Sequence, residues 1–302
     1  MPTIERKNIR NKPFFYLIKR IRIGKKYKKI QVYIGKSVPN DLTGYFRILQ
    51  AKELELIPEI LKHMQLPDKN ISLAEYAAVE KTRIVLAYLP LMFSKAVLER
   101  KWRKFAINFI FESNAIEGSK LSEREVESIV LKRHIKKTLD RHEVREVENA
   151  IKAFNLLRGG KFDLNERSII NLHALITAGM NIAQGYKTHE VVVNNKKTTS
   201  PGKVRGELTR LLDWWRKEKK TNPFYAALLF HPRFERIHPF LDGNGRVGRL
   251  ILVWMLNETG HGVILFKNKK RQAYFSALDK ADQGRLRPWL RFAIETYNQT
   301  KF

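Results

Sequence analysis

The 302-residue chain contains no cysteine, which excludes disulfide bridges and thiolate metal sites. No apolar run approaches eighteen residues, and the N-terminus is charged from Glu5 onward without a signal-peptide core. The expectation is a cytoplasmic protein with no membrane insertion. Internal repeats and low-complexity segments are also missing. Acidic residues are few: 30 Asp and Glu stand against 58 Lys and Arg, giving a net charge of +28 and a pI near 10.2. Such a balance attracts polyanions, whether nucleic acid, ribosome, membrane surface or acidic protein. A Lys-rich solvated surface accounts for it equally well. The length suffices for one large domain or two small ones with a proper core.

What is present concentrates in residues 238–249, His-Pro-Phe-Leu-Asp-Gly-Asn-Gly-Arg-Val-Gly-Arg. Gly243 and Gly245 flank Asn244, so successive backbone N–H groups can turn toward one point without Cβ obstruction. The following run, Leu250 through Leu256, is apolar on most sides and reads as a buried helix ending before Gly260. A glycine-rich turn opening such a helix is an anion site, because free N–H groups and the positive helix end converge there. Arg246 and Arg249 lie three apart on one helix face and can add bidentate contacts to phosphate oxygens. Asp242 suits a Mg²⁺ ion bridging phosphates, and His238 is the one neutral-pH proton acceptor in the stretch. Together these groups describe a nucleotidyl- or phosphoryl-transfer centre. The alternatives are a capping pair at His238 and Asp242, a simple tight turn, and a solvated arginine face.

The stretch resembles the signature of the Fic family, His-x-Phe-x-Asp/Glu-Gly-Asn-Gly-Arg-x-x-Arg. It matches at His238, Phe240, Asp242, Gly243, Asn244, Gly245, Arg246 and Arg249. The resemblance implies transfer of AMP from MgATP to a Ser, Thr or Tyr hydroxyl of a target protein. His238, Asp242 and Arg249 would be catalytic, with Mg²⁺ on Asp242. Gly243, Asn244, Gly245, Arg246 and Arg249 would bind the nucleotide. Upstream, Ser113 and Glu117 are four apart and Gly118 is a natural helix C-cap. In the resemblance they match the family's inhibitory motif, whose Glu pairs with the signature's second arginine and blocks the γ-phosphate. One guanidinium cannot serve a carboxylate and a phosphate bidentately at once. In some relatives the same Glu positions water for AMP removal. Residues 184–195 break the helical pattern and match the family's flap, which aligns a target segment by β-strand addition. Its docking residues would be Gly185, Lys187, Val191, Val192 and Val193, with a turn at Asn194-Asn195; the family commonly has Arg at the position of Lys187. Residues 271–282 resemble the adenosine-side segment: Tyr274 or Phe275 would stack on adenine, and Asp282 stands where Asn is usual. Some family members use UTP, GTP or CDP-choline, which the motif does not distinguish.

The expected fold is mainly α, a Fic-fold helical bundle with a short β-hairpin flap and a small basic N-terminal β-hairpin region. Residues 14–23 and 29–34 alternate apolar and basic side chains around Gly24 and suggest that hairpin, twelve Lys and Arg against Glu5 alone in residues 1–37. Helical spacing follows over residues 51–64 and 72–89, the second ended by Pro90, and over 92–116. Ser122 and Glu125 form a capping box. Further helices are expected over 143–159, up to about 179, over 201–218, and after Asn222. The expected domains are 1–48, a helical scaffold over 49–104, and the Fic domain over 105–302. His231, two helical turns before His238, reads as structural, and His189 as solvent-facing. Partners consistent with the sequence are the target protein, a second copy forming a homodimer, and nucleic acid at the basic N-terminus. The last defines a rival reading, a regulator that binds nucleic acid through the hairpin and senses nucleotide through the Fic core.

Overall fold

The computed structural model describes residues 1–63, 71–133, 135–160, 162–193 and 196–300. It is mainly α, as the periodicities predict. The chain divides into two units, 1–101 and 102–302, and the boundary falls inside one helix, α4 (Lys95–Glu117).

In the first unit β1 (Thr3–Ile9), β2 (Lys12–Ile23) and β3 (Lys26–Gly35) form an antiparallel sheet in the order β1-β2-β3. The expected hairpin therefore gains a third strand. β1 escapes sequence reading because Glu5, Arg6 and Lys7 interrupt its apolar pattern, and an edge strand tolerates such charges. The alternation of β2 and β3 puts Leu17, Ile21, Ile23, Ile30, Val32 and Ile34 on one buried face. That face shares a core with Leu49 of α1 (Thr43–Leu54) and with Ile84 and Tyr88 of α3 (Leu73–Met92). The short α2 (Ile57–Lys62) packs on α3. Lys19 is the inner-face exception. Its Nζ meets Glu53, which is 4% exposed and also accepts from the Tyr88 hydroxyl at 2.8 Å. Residues 1–48 and the helices after them thus share one core. The predicted end of the first helix, at residue 64, lies outside the described residues. α3 runs two residues beyond Pro90, because a proline in the last turn removes only one bond and Phe93 N still reaches Leu89 O.

The second unit is helical. It contains the rest of α4, then α5 (Glu123–Val130), α6 (Arg141–Arg158), α7 (Glu166–Ile176), α8 (Pro201–Glu218), α9 (Pro223–Ile237), α10 (Asn244–Glu258), α11 (Arg271–Asp282) and α12 (Leu286–Gln299). Caps set these starts as predicted: the reciprocal Ser122–Glu125 box opens α5, and Asn165 Oδ1 accepts from Ser168 N at 2.9 Å to open α7. α10 is the centre. It packs against α9, α7 and α6, and every residue from Arg246 to Leu256 is buried. Only a helix apolar on most sides can occupy that place. A two-residue hairpin, β4 (Val192–Val193) with β5 (Lys196–Lys197), lies where the flap is expected. The turn expected at Asn194-Asn195 lies outside the described residues.

Candidate active site

The site is built where α9 ends and α10 begins. His238 terminates α9 in the left-handed conformation, φ 49° and ψ 64°, with its N–H on Phe234 O. Histidine tolerates that region better than most side chains. The ring Nδ1 lies 3.3 Å from the Glu235 carbonyl oxygen. A carbonyl only accepts, so Nδ1 carries the proton and Nε2 keeps its lone pair. Burial, and then the nearby Lys187 ammonium, push the imidazole down to about 4. His238 is accordingly neutral near pH 7, in the tautomer a proton acceptor requires.

The connecting loop is stapled from within. Asn244 Oδ1 accepts from Phe240 N and its Nδ2 donates to Phe240 O, both at 2.9 Å. Its side chain therefore shapes the loop, and its backbone N–H stays free for an anion. Phe240 is fully buried and stacks on His173 at 3.8 Å between ring centroids. His173 Nε2 in turn donates to Asp242 O at 3.1 Å. Gly243 adopts φ +79°, which an L side chain would resist, and so turns the chain into α10. The Gly243 N–H is taken by Asp242 Oδ1, and the first intrahelical bond runs from Val247 N to Gly243 O. The N–H groups of Asn244, Gly245 and Arg246 lie in the first turn, ahead of that bond.

Glu117 stands over that turn. A Cβ added at Gly245 would collide with Glu117 Oε1 and approach Arg249 Nη1 to 2.9 Å, so the carboxylate uses the space a side chain would take. Arg249 is 2% exposed. Its Nη2 donates to Glu117 Oε1 at 2.7 Å and to Ser113 O at 3.0 Å, and its Nε donates to Ser113 Oγ at 2.9 Å. Burial opposes the charge, but the charge and hydrogen bond of Glu117, together with Tyr274 and Glu235, outweigh it and hold the guanidinium protonated. Arg249 Nη1 finds no hydrogen-bond partner among the described residues. Gly118, at φ +108°, ends α4 directly after the carboxylate, with its N–H on Ala115 O. Sequence positions 113, 117, 245 and 249 are thus one cluster.

Arg246 is treated alike on the neighbouring side: Nη1 meets Glu146 Oε1 of α6 at 2.6 Å, and Nη2 lies 3.5 Å from Asp242 Oδ2. Burial raises the Glu146 carboxyl despite the guanidinium beside it. The Asp242 side chain is 62% exposed at the rim. Among the described residues no group of three or more His, Asp or Glu could hold a metal. One exposed carboxylate beside an anion site nonetheless fits Mg²⁺, which takes one or two carboxylates plus phosphate oxygens and water. The orphaned Arg249 Nη1 and the first-turn N–H groups fit a polyanion in the place Glu117 fills.

Beside His238 opens a small cleft of about 90 Å³. Phe275, Asp282, Glu235 and Thr198 line it with His238. Asp282 Oδ1 also pairs with Arg236 Nε at 3.2 Å. Tyr274 requires correction. It is 1% exposed, its hydroxyl lies 2.7 Å from His231 Nε2, and its ring packs against Phe266 and Trp289. With both faces committed to the core it offers no stacking surface, whereas Phe275 does line the cleft. His231 is fully buried, and His189 is exposed.

The flap hairpin pairs Val192 with Lys197 and Val193 with Lys196, and Val192 is 58% exposed. Val191 O accepts from Thr198 N at 3.1 Å, Lys196 pairs with Asp279, and Thr199 N bonds Arg236 O. Gly185, at φ +85°, turns the chain into this segment. Lys187 also requires correction as a docking residue. It is 2% exposed, with Nζ on Thr198 Oγ1 at 2.6 Å and Ile237 O at 3.4 Å, and its N–H on Pro239 O at 2.9 Å. A side chain so enclosed ties the base of the flap to the signature and meets no target. Sequence reading missed His173, Glu146 and this role of Lys187. Each acts across 50 to 100 residues of chain, and none carries a local pattern.

Comparison with known proteins agrees with this geometry. Residues 163–256 match the Fic/DOC family model. Curated relatives named Protein adenylyltransferase Fic include those of Drosophila willistoni and Drosophila melanogaster. Each is 27% identical over 214 residues, 68% of this chain, and 43% and 44% of the relative, respectively. The chain thus spans less than half the length of those relatives. Among solved structures, a Fic domain containing signaling protein from Bacteroides thetaiotaomicron superposes with a TM-score of 0.66 at 21% identity, covering 74% of this chain and 93% of that one. A Fic family protein from Desulfovibrio desulfuricans gives 0.67 at 22% identity, with 78% and 74% covered. The chain thus carries a region, residues 163–256, that matches the Fic/DOC family, and its second unit adopts the fold of the solved Fic proteins.

Proposed function

We propose that the chain is a protein adenylyltransferase that uses MgATP and is restrained by Glu117. One observation carries the reading: a neutral imidazole with Nε2 unprotonated stands at the mouth of a helix whose anion site is held by an internal carboxylate.

In the proposed reaction the triphosphate lies against the first turn of α10, on the N–H groups of Asn244 and Gly245, with Arg246 and Arg249 offsetting its charge. The adenosine enters the cleft beside Phe275 and Asp282. Asp242 would hold Mg²⁺, which when bound neutralises phosphate charge. The flap segment 191–193 receives the target as an added strand, its main chain supplying register and exposed Val192 an apolar contact. His238 Nε2 takes the proton of the target hydroxyl as that oxygen bonds to the α-phosphorus. The bond from the α-phosphorus to the bridging oxygen breaks, and pyrophosphate leaves. The imidazolium so formed sits in a site that disfavours its charge, which speeds return of the proton to solvent.

Glu117 restrains the reaction by occupancy: while its carboxylate engages Arg249, the guanidinium cannot grip a phosphate. A second task for Glu117, holding water for removal of AMP from a modified target, uses the same position. The test is incubation with α-³²P-ATP and Mg²⁺. Glu117→Gly should raise self- and target labelling several-fold or more over the parent, and adding His238→Ala should abolish it. Equal labelling by parent and Glu117→Gly would sink the restraint. Label persisting in the double variant would sink the base. Release of AMP from a premodified target by the parent, but not by Glu117→Gly, tests the second task.

A further inference from the structure

The N-terminal sheet has a second face, opposite its core. Strand pairing sets Tyr16 beside Tyr33, Arg20 beside Lys29 and Arg22 beside Tyr27, all on that face. Tyr27 is 69% exposed and Tyr33 49%, so the rings lie open where a core sheet would cover them. Phe14 and Tyr16 flank Tyr33 with centroids 6.2 Å and 5.3 Å away. Lys7 Nζ stands 4.8 Å above the Tyr16 ring. The one carboxylate on the face, Glu5, is shared among Lys29 at 2.8 Å, Lys7 at 3.8 Å and Arg20 at 4.0 Å. Four cations against one anion leave an excess of positive charge between two aromatic stations. Tyr33 lies six positions after Tyr27, roughly 20 Å along an extended strand.

We propose that this face binds single-stranded RNA, with bases stacked on Tyr33 and Tyr27 and the intervening phosphates on Arg20, Arg22 and Lys29. Open rings need unstacked bases, which a duplex does not offer. An acidic peptide would use the cations and leave the rings idle, and an anionic membrane would call for several protruding aliphatic side chains, where this face exposes Ile9 at its edge. Gln31, exposed between Lys29 and Tyr33, and the tyrosine hydroxyls suit a ribose 2′-hydroxyl. The inference is independent of adenylyl transfer.

The test measures fluorescence anisotropy of a labelled mixed-sequence 20-nucleotide RNA with the full chain at two salt concentrations. Three variants are compared: Arg20→Glu with Arg22→Glu, Tyr27→Ala with Tyr33→Ala, and a control of identical charge change, Lys217→Glu with Lys220→Glu. Affinity should fall with salt, and the face reversal should weaken binding at least about tenfold more than the control. The tyrosine pair, which alters no charge, should weaken it about 5- to 150-fold per lost base stack. All replaced positions are exposed, and unchanged melting temperatures verify folding. Equal loss in the face reversal and the control would overturn the proposal, as would native affinity in the tyrosine pair. So would tighter binding to the matching deoxy strand, to a duplex, or to phosphatidylserine vesicles.

Discussion

The signature turn and the N-terminal sheet put their arginines to opposite uses. In the turn, Arg246 and Arg249 are 6% and 2% exposed, and each is held by a carboxylate from another helix, Glu146 and Glu117. On the outer sheet face Arg20 and Arg22 are solvated, with Glu5 as the single carboxylate among them. A buried cation must be matched group by group, because an unpaired charge in a low-dielectric interior is costly. It therefore acts through fixed geometry at short range. A solvated cation needs no partner and acts through its field, which salt screens over about 10 Å. The net charge of +28 belongs to the second kind; the chemistry belongs to the first.

Breaking the buried side should produce the largest effects. His238→Ala removes the base at the mouth of the turn, and labelling from α-³²P-ATP in a Glu117→Gly background should fall by about 10²–10⁴-fold. Isothermal titration should find nucleotide binding retained, since the anion site lies in α10. The sheet contains one buried pair of its own, so the comparison can be tested within it. Lys19→Met leaves Glu53 buried against Tyr88 without its cation and should cost about 3–5 kcal/mol by urea unfolding. Adding Glu53→Gln should recover much of that loss.

Gly245→Ala sharpens the account of Glu117. The new methyl would meet the carboxylate and Arg249 Nη1, an overpacking of about 1–3 kcal/mol, visible as a lower Tm. In a Glu117→Gly background the same change should cost less, and a cycle of four Tm values measures the coupling. No coupling would mean that the carboxylate is not where the structure has it. The smallest effect concerns pH. A free imidazole would lose its base form below its ordinary value near 6.5. With His238 pushed down to about 4, the base form persists, and the labelling rate should stay level from pH 7.5 to 5.5. Lys187→Met removes the second cause of the depression, so the imidazole rises and the acid limb should move to higher pH.

The signature was legible because its tasks are local: glycines where a turn needs φ above zero, two arginines one turn apart, an apolar run that must be buried. Helix positions followed from spacing and caps, as α8 over Pro201–Glu218 illustrates with Val204, Leu208, Leu211, Leu212 and Trp215 inward. The Glu117–Arg249 contact was reachable through the resemblance, not through any pattern near either residue. The fate of Tyr274 and Phe275 was not legible, because adjacent positions on a helix point to different surroundings and only the packed fold selects which ring meets the cleft. Lys187 was misplaced for a related reason. Lysine is expected outside, and nothing in its neighbours announces Thr198 and Ile237 as its partners. The edge strand β1 was hidden by its charges.

Lys187 carries one more consequence. Its main chain is stitched to Pro239 and its ammonium to Ile237, the two residues that bracket His238, while the same ammonium grips Thr198 at the foot of the hairpin. The hairpin and the turn that carries His238 are thereby clamped together. Displacing the hairpin would therefore strain the contacts on both sides of the imidazole.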